Sequence, residues 1–317
     1  MDKERFYVGI DISQDNLDIA AYPTEQIWKY KNSSSGIAKT ATKLKGLNPK
    51  LIVMEATGGL ETPLRQALDQ ADLPVAVVNP RRIRDFGRSM GILAKTDKLD
   101  AKVMAYFAAK IEPTPHPPKD EASQQMENLL ARRNQLSNML TAEKNRLKQS
   151  TNKAIHVRIQ NHIYWLESEL QGLDKELKDN IRQNPLFMEK VKLYRSMPGV
   201  GDILSYNLLA NLSELGSLNQ REIASLVGVA PLNRDSGKLR RRRTIWGGRA
   251  TIRKALYMPA VVAIRCNPLI RSLYQRLLAK GKLKKVALVA CMHKMLTILN
   301  SMAKNNTPWK CAITTPN

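Results

Sequence analysis

The segment EPTPHPP, Glu112 to Pro118, cannot continue a helix, because each proline lacks a backbone donor and restricts the residue before it. It separates two halves of a 317-residue chain that follow different periods. Ahead of it, short β-branched runs alternate with helix-like stretches. FYVGIDI and LDIAAY flank a polar SQDN turn as a hairpin, LIVMEATGG reads as a buried strand, TPLRQALDQADL as a helix and VAVVNP as another strand. Behind it, from about 120 to 185, the chain is polar, glycine-poor and helical in period. The pattern predicts an α/β domain over residues 1–115, a helical segment over 116–190 and a mostly helical C-terminal domain over 191–317.

In the helical segment Ile159, Ile163, Leu166, Leu170, Leu173, Leu177 and Ile181 step by three and four, close to a heptad seam, and Met126, Leu129, Leu136 and Leu140 mark an earlier helix. Two readings stand, a helical hairpin packed on itself and a coiled-coil seam between protomers. The third region opens on SMPGVGDILSYNLLANL and is helical by pattern through Ser301, with one interruption, LNRDSGKLRRRRTIWGG; the end, NNTPWKCAITTPN, reads as a loose tail.

Charge decides the class of partner. The chain carries 51 Lys and Arg against 28 Asp and Glu, a formal net charge of +23. That excess repels itself unless a polyanion shares the surface, so nucleic acid is the expected partner. The three cysteines form no CxxC pair and the four histidines do not cluster with them, which argues against a zinc site or a disulfide framework. No uncharged apolar run of membrane-spanning length and no signal-peptide core occurs, so the expectation is a cytoplasmic protein with no membrane partner.

Four carboxylates stand out in the first domain. Asp11 interrupts a strand between Ile10 and Ile12, and Glu55 ends the apolar run LIVM. An acid in or just after a buried strand is costly unless something compensates it. Asp97 and Asp100, in KTDKLDA, lie three apart on a helix and project from one face. Converging carboxylates without histidine or thiolate suit magnesium, or manganese, rather than zinc, and such ions orient a phosphodiester for in-line displacement. The order strand Asp, hairpin, strand Glu and late helical DxxD resembles the RNase H and RuvC-like nuclease fold. GIDIS and ATGG are also compatible with an actin-like or sugar-kinase start, although no second phosphate loop accompanies them.

In the second half, MPGVGD before an apolar helix resembles a helix-hairpin-helix element. There Gly199 and Gly201 let the backbone approach a phosphate and the helix offers its free N–H groups. Arg249, Arg253, Lys254, Arg265, Arg271 and Arg276 are spaced to follow a phosphate backbone. Ser236 lies in Arg-Asp-Ser-Gly ahead of Arg240, Arg241, Arg242 and Arg243. On residue chemistry alone its hydroxyl closes a tight turn. A nucleophilic role requires activation, and the nearby guanidinium groups are able to fork onto phosphate oxygens.

Taken together, GIDIS, MEATGG, NP followed by KTDKLDA, MPGVG, GVAPLNRDSG and RKALYMPA resemble the DEDD-type insertion-sequence transposases of the IS-one-ten family, from about residue 6 to 305. The resemblance implies a RuvC-like domain with a magnesium site on Asp11, Glu55, Asp97 and Asp100, and a helical oligomerisation segment. It also implies a C-terminal transposase domain whose nucleophilic serine falls on Ser236. It further implies donor and target double-stranded DNA, a bridge RNA that guides recombination, and a homo-oligomeric synapse. A metal-dependent nuclease using water, or a non-catalytic nucleic-acid scaffold, would share the charge and the acids but not the serine chemistry.

Overall fold

The computed structural model describes residues 6–92, 96–115, 120–232, 235–236, 239–240 and 243–310, with the backbone alone at 235, 236, 239 and 240. The chain divides into two units, Met1–Lys119 and Asp120–Asn317.

In the first unit, β1 (Tyr7–Ile12), β2 (Asn16–Tyr22), β3 (Ile27–Lys31), β4 (Leu51–Glu55) and β5 (Val75–Val78) form one sheet in the order β3-β2-β1-β4-β5. The β1-β2-β3 half is antiparallel and the β1-β4-β5 half parallel. This mixed order, three antiparallel strands continued by two parallel ones, agrees with the layout expected from the order of the acids. Helices α1 (Ser34–Leu47), α2 (Thr62–Gln70), α3 (Pro80–Ser89) and α4 (Asp97–Ile111) cover the sheet.

Strand alternation sorts the residues by face. Val8, Ile10 and Ile12 pack with Leu44, Leu64 and Leu68 from α1 and α2. Tyr7, Leu51, Val53 and Ala76 pack with Ile83 of α3 and Val103, Met104 and Phe107 of α4. Gly9 shares the second face, and α4 lies so close there that a Cβ at Gly9 would stand 2.3 Å from Ala101 O and Ala105 N. Asp11, two residues further along β1, therefore opens toward the α4 side.

The sequence reading did not assign β3 or α1. β3 alternates exposed and half-buried residues along an edge strand that carries two lysines, a weak apolar signal. The basic segment after Val78 is helical: Asn79 caps α3 by accepting from the Arg81 amide at 2.9 Å, with Pro80 at the first helical position.

The second unit begins with two long helices, α5 (Glu121–Gln149) and α6 (Lys153–Gln183). Ile163, Leu166, Leu177 and Ile181 are buried with Met126, Leu130 and Leu136, so the predicted seam is used within the chain, as a hairpin. Ion pairs Arg133–Asp174 at 2.5 Å and Lys144–Glu167 at 2.7 Å run across it. Its base continues into α7 (Pro185–Arg195) and α8 (Asp202–Asn211), where Val191, Tyr206 and Ala210 join Met126, Leu130, Leu177 and Ile181 in one cluster. The helical segment and the C-terminal region thus share a core.

That region continues with α9 (Gln220–Val227), the short strands β6 (Pro231–Leu232), β7 (Asp235–Ser236), β8 (Leu239–Arg240) and β9 (Thr244–Ile245), then α10 (Ala250–Cys266), α11 (Pro268–Ala279) and α12 (Lys284–Asn305). Among the described residues α12 alone has the length and hydropathy of a membrane span. Its Leu288, Met292, Met295, Leu296, Leu299 and Met302 are spent on the largest core cluster. The expected loose tail is fastened at its start, because Trp309 packs on that cluster and its amide donates to Ser196 Oγ at 2.8 Å. Residues 311–317 lie outside the described part.

Candidate active site

The acids of the first unit gather around Asp11. Glu55 follows Met54, which pairs with Ile10, so Glu55 falls beside Asp11 on the neighbouring strand. Asp97 and Asp100 occupy the first turn of α4, whose cap is Thr96 Oγ1 accepting from the Leu99 amide at 3.3 Å. Acids at a helix N-terminus face the positive end of its dipole, which eases their crowding. Burial raises the Asp11 carboxyl from its ordinary value to about 6, and the charges of Asp100, Asp97, Glu55 and Asp18 push it the same way.

Four carboxylates within electrostatic reach of Asp11 make a charge excess that a cation relieves, and the donors are all hard oxygens suited to magnesium or manganese. Among the described residues no group of three or more His, Cys, Asp or Glu is placed to hold a metal ion as it stands. Asp18 was missed by the sequence reading. Its only sequence signal is an acid inside the otherwise apolar LDIAAY, and its place beside Asp11 is set by strand register.

The ATGG stretch is not a phosphate loop. The Thr57 amide, Thr57 Oγ1 and the Gly59 amide all donate to Glu61 Oε2, at 3.2, 2.9 and 2.9 Å, so these donors are spent within the loop. The actin-like or sugar-kinase alternative loses the second of its two supporting motifs.

In the second unit the interruption around Ser236 is a ribbon rather than an irregular loop. β6 pairs with β9, and further out β7 pairs with β8, with Asp235 opposite Arg240 and Ser236 opposite Leu239. Ser236 is thus the last residue of β7, paired with Leu239. The side chains of Ser236 and Arg240, and Arg241 and Arg242 altogether, lie outside the described residues, while Arg243 is exposed. The ribbon leaves the helical body between Gly228 and Gly248. Both have positive φ, 75° and 68°, and a Cβ on Gly248 would stand 2.3 Å from the Gly228 nitrogen, so only glycine permits this approach.

Residues 8–153 match the DEDD transposase domain of the IS110 (IS-one-ten) group, and residues 191–275 match the domain described as transposase of the IS116/IS110/IS902 family. The chain belongs to the IS110 transposase family. Curated relatives agree over the whole length. The pilin gene-inverting proteins of Moraxella lacunata and Moraxella bovis are each 28% identical, covering 96% of this chain and 97% of their own. An insertion element IS900 uncharacterized 42 kDa protein of Mycobacterium paratuberculosis is 29% identical over 50% of this chain and 39% of its own. A solved structure of T. thermophilus RuvC in complex with a Holliday junction substrate covers 35% of this chain and 99% of its own, at 14% identity and a TM-score of 0.28, too loose a likeness to carry a functional reading.

As an IS110-family member the chain is a DNA recombinase of the transposase class, and its structure revises which basic residues are free for DNA. Arg249, expected to contact phosphate, pairs with both carboxylate oxygens of Glu214 and donates to Asn211 O at 3.0 Å. Arg253 donates to Val227 O at 3.2 Å and to Gly247 O, bridging the two ends of the ribbon. These two guanidinium groups hold the root of the arm instead of facing solvent. Arg271 is exposed, and its guanidinium folds back onto the carbonyls of Ile264 and Arg265. Lys254, Arg265 and Arg276 are exposed.

Gly199 serves packing. At φ 99° its missing Cβ would meet Ala263 Cβ at 2.6 Å, which lets the α7–α8 turn seat on α10. Gly201 caps α8 in extended backbone with open space beside it, so of the predicted pair it alone leaves room for a phosphate.

Proposed function

We propose that this IS110-family chain is an RNA-guided recombinase that cuts and rejoins DNA through a covalent link to Ser236, with a divalent cation, magnesium in the first instance, held by Asp11, Glu55, Asp97 and Asp100. The observation that carries this reading is the gathering of Glu55, Asp97 and Asp100 around Asp11, in a chain whose second unit holds Ser236 at the end of β7 in a ribbon. When bound, the cation orients the phosphodiester and stabilises the entering and leaving oxygens.

The protein's own groups do the rest. Ser236 Oγ forms a bond to phosphorus as the bond from phosphorus to a deoxyribose oxygen breaks, and the hydroxyl proton ends on the departing oxygen. Rejoining runs the same exchange in reverse with the hydroxyl of the new strand. The bond energy is kept in the phosphoserine, so no nucleotide cofactor is required. The arginines 240–243 are assigned to the phosphate oxygens, where charge develops.

The name of the Moraxella relatives, pilin gene-inverting protein, supports a reaction that rejoins what it cuts. Guidance by a bridge RNA, recognition of donor and target duplexes, and assembly of several copies into a synapse complete the proposal, and the charge of +23 suits polyanionic partners.

The test is a denaturing gel of labelled element DNA incubated with protein, element RNA and magnesium. Wild type is expected to leave a protein–DNA adduct that both Ser236→Ala and Asp11→Asn abolish. Cleavage with no adduct would replace this reading with hydrolysis by water, and an adduct retained by Ser236→Ala would remove the serine assignment.

A further inference from the structure

Register sets Asp18 of β2 directly opposite Asp11, and Lys29 of β3 directly opposite Asp18. Opposed residues of an antiparallel pair share a face, with Cβ atoms about 4.5–5.5 Å apart, and two like charges there repel. Asp18 is nevertheless 2% exposed. Lys29 Nζ takes Oδ2 at 3.2 Å, whereas Oδ1 is buried with no hydrogen-bond partner. A structural ion pair accounts for the first oxygen and leaves the second unexplained, because a buried anionic oxygen facing another carboxylate is costly.

The surroundings point the same way. Ala20, the next residue of β2 on that face, packs with Ala101 and Ala105 of α4, and Asp97 and Asp100 stand one turn earlier on the same helix. Asp18, Asp11 and Glu55 therefore form a row across β2, β1 and β4, beside the start of α4.

We propose that Asp18 is a fifth cation-binding carboxylate, presenting Oδ1 to the site while Lys29 holds Oδ2 and fixes the group's orientation. This rests on the metal reading of Asp11 and its neighbours given above. It adds a ligand from the strand hairpin to those from β1, β4 and α4. Lys29 acts as a positioning residue whose positive charge opposes cation binding while its hydrogen bond orders the ligand.

The test is Mn²⁺ binding to the full chain, measured by calorimetry and by the loss of the free-ion electron paramagnetic resonance signal. Asp18→Asn is expected to weaken binding roughly tenfold or more, the size seen when a group supporting a metal site is lost. Lys29→Met, which removes the competing charge at an exposed position, is expected to strengthen it severalfold. With chelator present, Asp18→Asn is expected to melt no lower than wild type, since it removes a buried negative charge opposite Asp11.

If Asp18 served only the fold, Asp18→Asn and Lys29→Met would both lower the melting temperature and leave Mn²⁺ affinity unchanged, and that result would overturn the inference. Should Asp18→Asn fail to fold, unchanged or weakened binding by Lys29→Met overturns it alone. Asp11→Asn separates the two levels. If it binds Mn²⁺ as wild type does, the metal reading of the whole site fails; if it abolishes binding while Asp18→Asn does not, only the role of Asp18 fails.

Discussion

Asp11 titrates against its neighbours, which gives a prediction with a definite sign. In the folded chain its carboxyl holds a proton up to about pH 6, whereas in the unfolded chain it releases it near 3.8. The folded state binds the extra proton between those limits, so this group's contribution is fully present below 3.8 and is lost as pH rises through about 6. With chelator present, Asp11→Asn is expected to melt with wild type near pH 4 and above it by a few degrees at pH 7, and magnesium should close the gap by stabilising wild type alone. Differential scanning fluorimetry across that range checks it. Gly9→Ala is the opposite case: its Cβ would press on the α4 backbone, and overpacking of this kind costs about 1–3 kcal/mol, readable as a lower denaturation midpoint of the first unit. At this scale Asp11 and Glu55 were legible because they interrupt or end apolar runs, and Asp97 and Asp100 because they lie three apart in KTDKLDA. Asp18 was not, since its meaning comes from Asp11 across the strand and from Lys29 beyond it, a register that linear spacing does not reveal.

The serine ribbon shows how an element is aimed. Arg253 ties the carbonyls of Val227 and Gly247, and Arg249 is locked to Glu214, so the two ends of the excursion are held together at its root. Arg253→Ala leaves those partly buried carbonyls without their donor, at a cost of up to about 1–3 kcal/mol. It is expected to lose adduct formation while duplex binding stays near wild type, as read by thermal melts, the adduct gel and gel-shift assays side by side. Arg253→Lys restores charge without the planar fork and should not rescue the adduct. Composition made these arginines look like phosphate ligands. Glu214 lies 35 residues away in sequence, so the ion pair that occupies Arg249 exists only once α8 and α10 have packed. The ribbon itself went unread because its strands are two residues long, below the length at which alternation is detectable.

For the molecule as a whole, the proline-rich break fell close to the division between the two units, since backbone chemistry at 112–118 is local. The division expected near 190 has no such marker, and Met126 and Leu177 of the helical hairpin share a cluster with Tyr206 of α8 across it. Charge acts at the same scale. DNA affinity should fall steeply with salt, in proportion to the phosphates neutralised. Arg243→Ala, at an exposed position, is expected to reduce the slope of log affinity against log salt by about one, and Arg249→Ala to leave it unchanged because its charge is already paired. Fluorescence anisotropy over a salt series distinguishes them. The proposed reaction draws on acids of the first unit and Ser236 of the second, and mass spectrometry of the protease-digested adduct is its decisive test. A nucleotide is predicted on the peptide containing Ser236, appearing only when Asp11 is intact; a nucleotide on any other residue, or a Ser236 adduct that forms equally with Asp11→Asn, would contradict it.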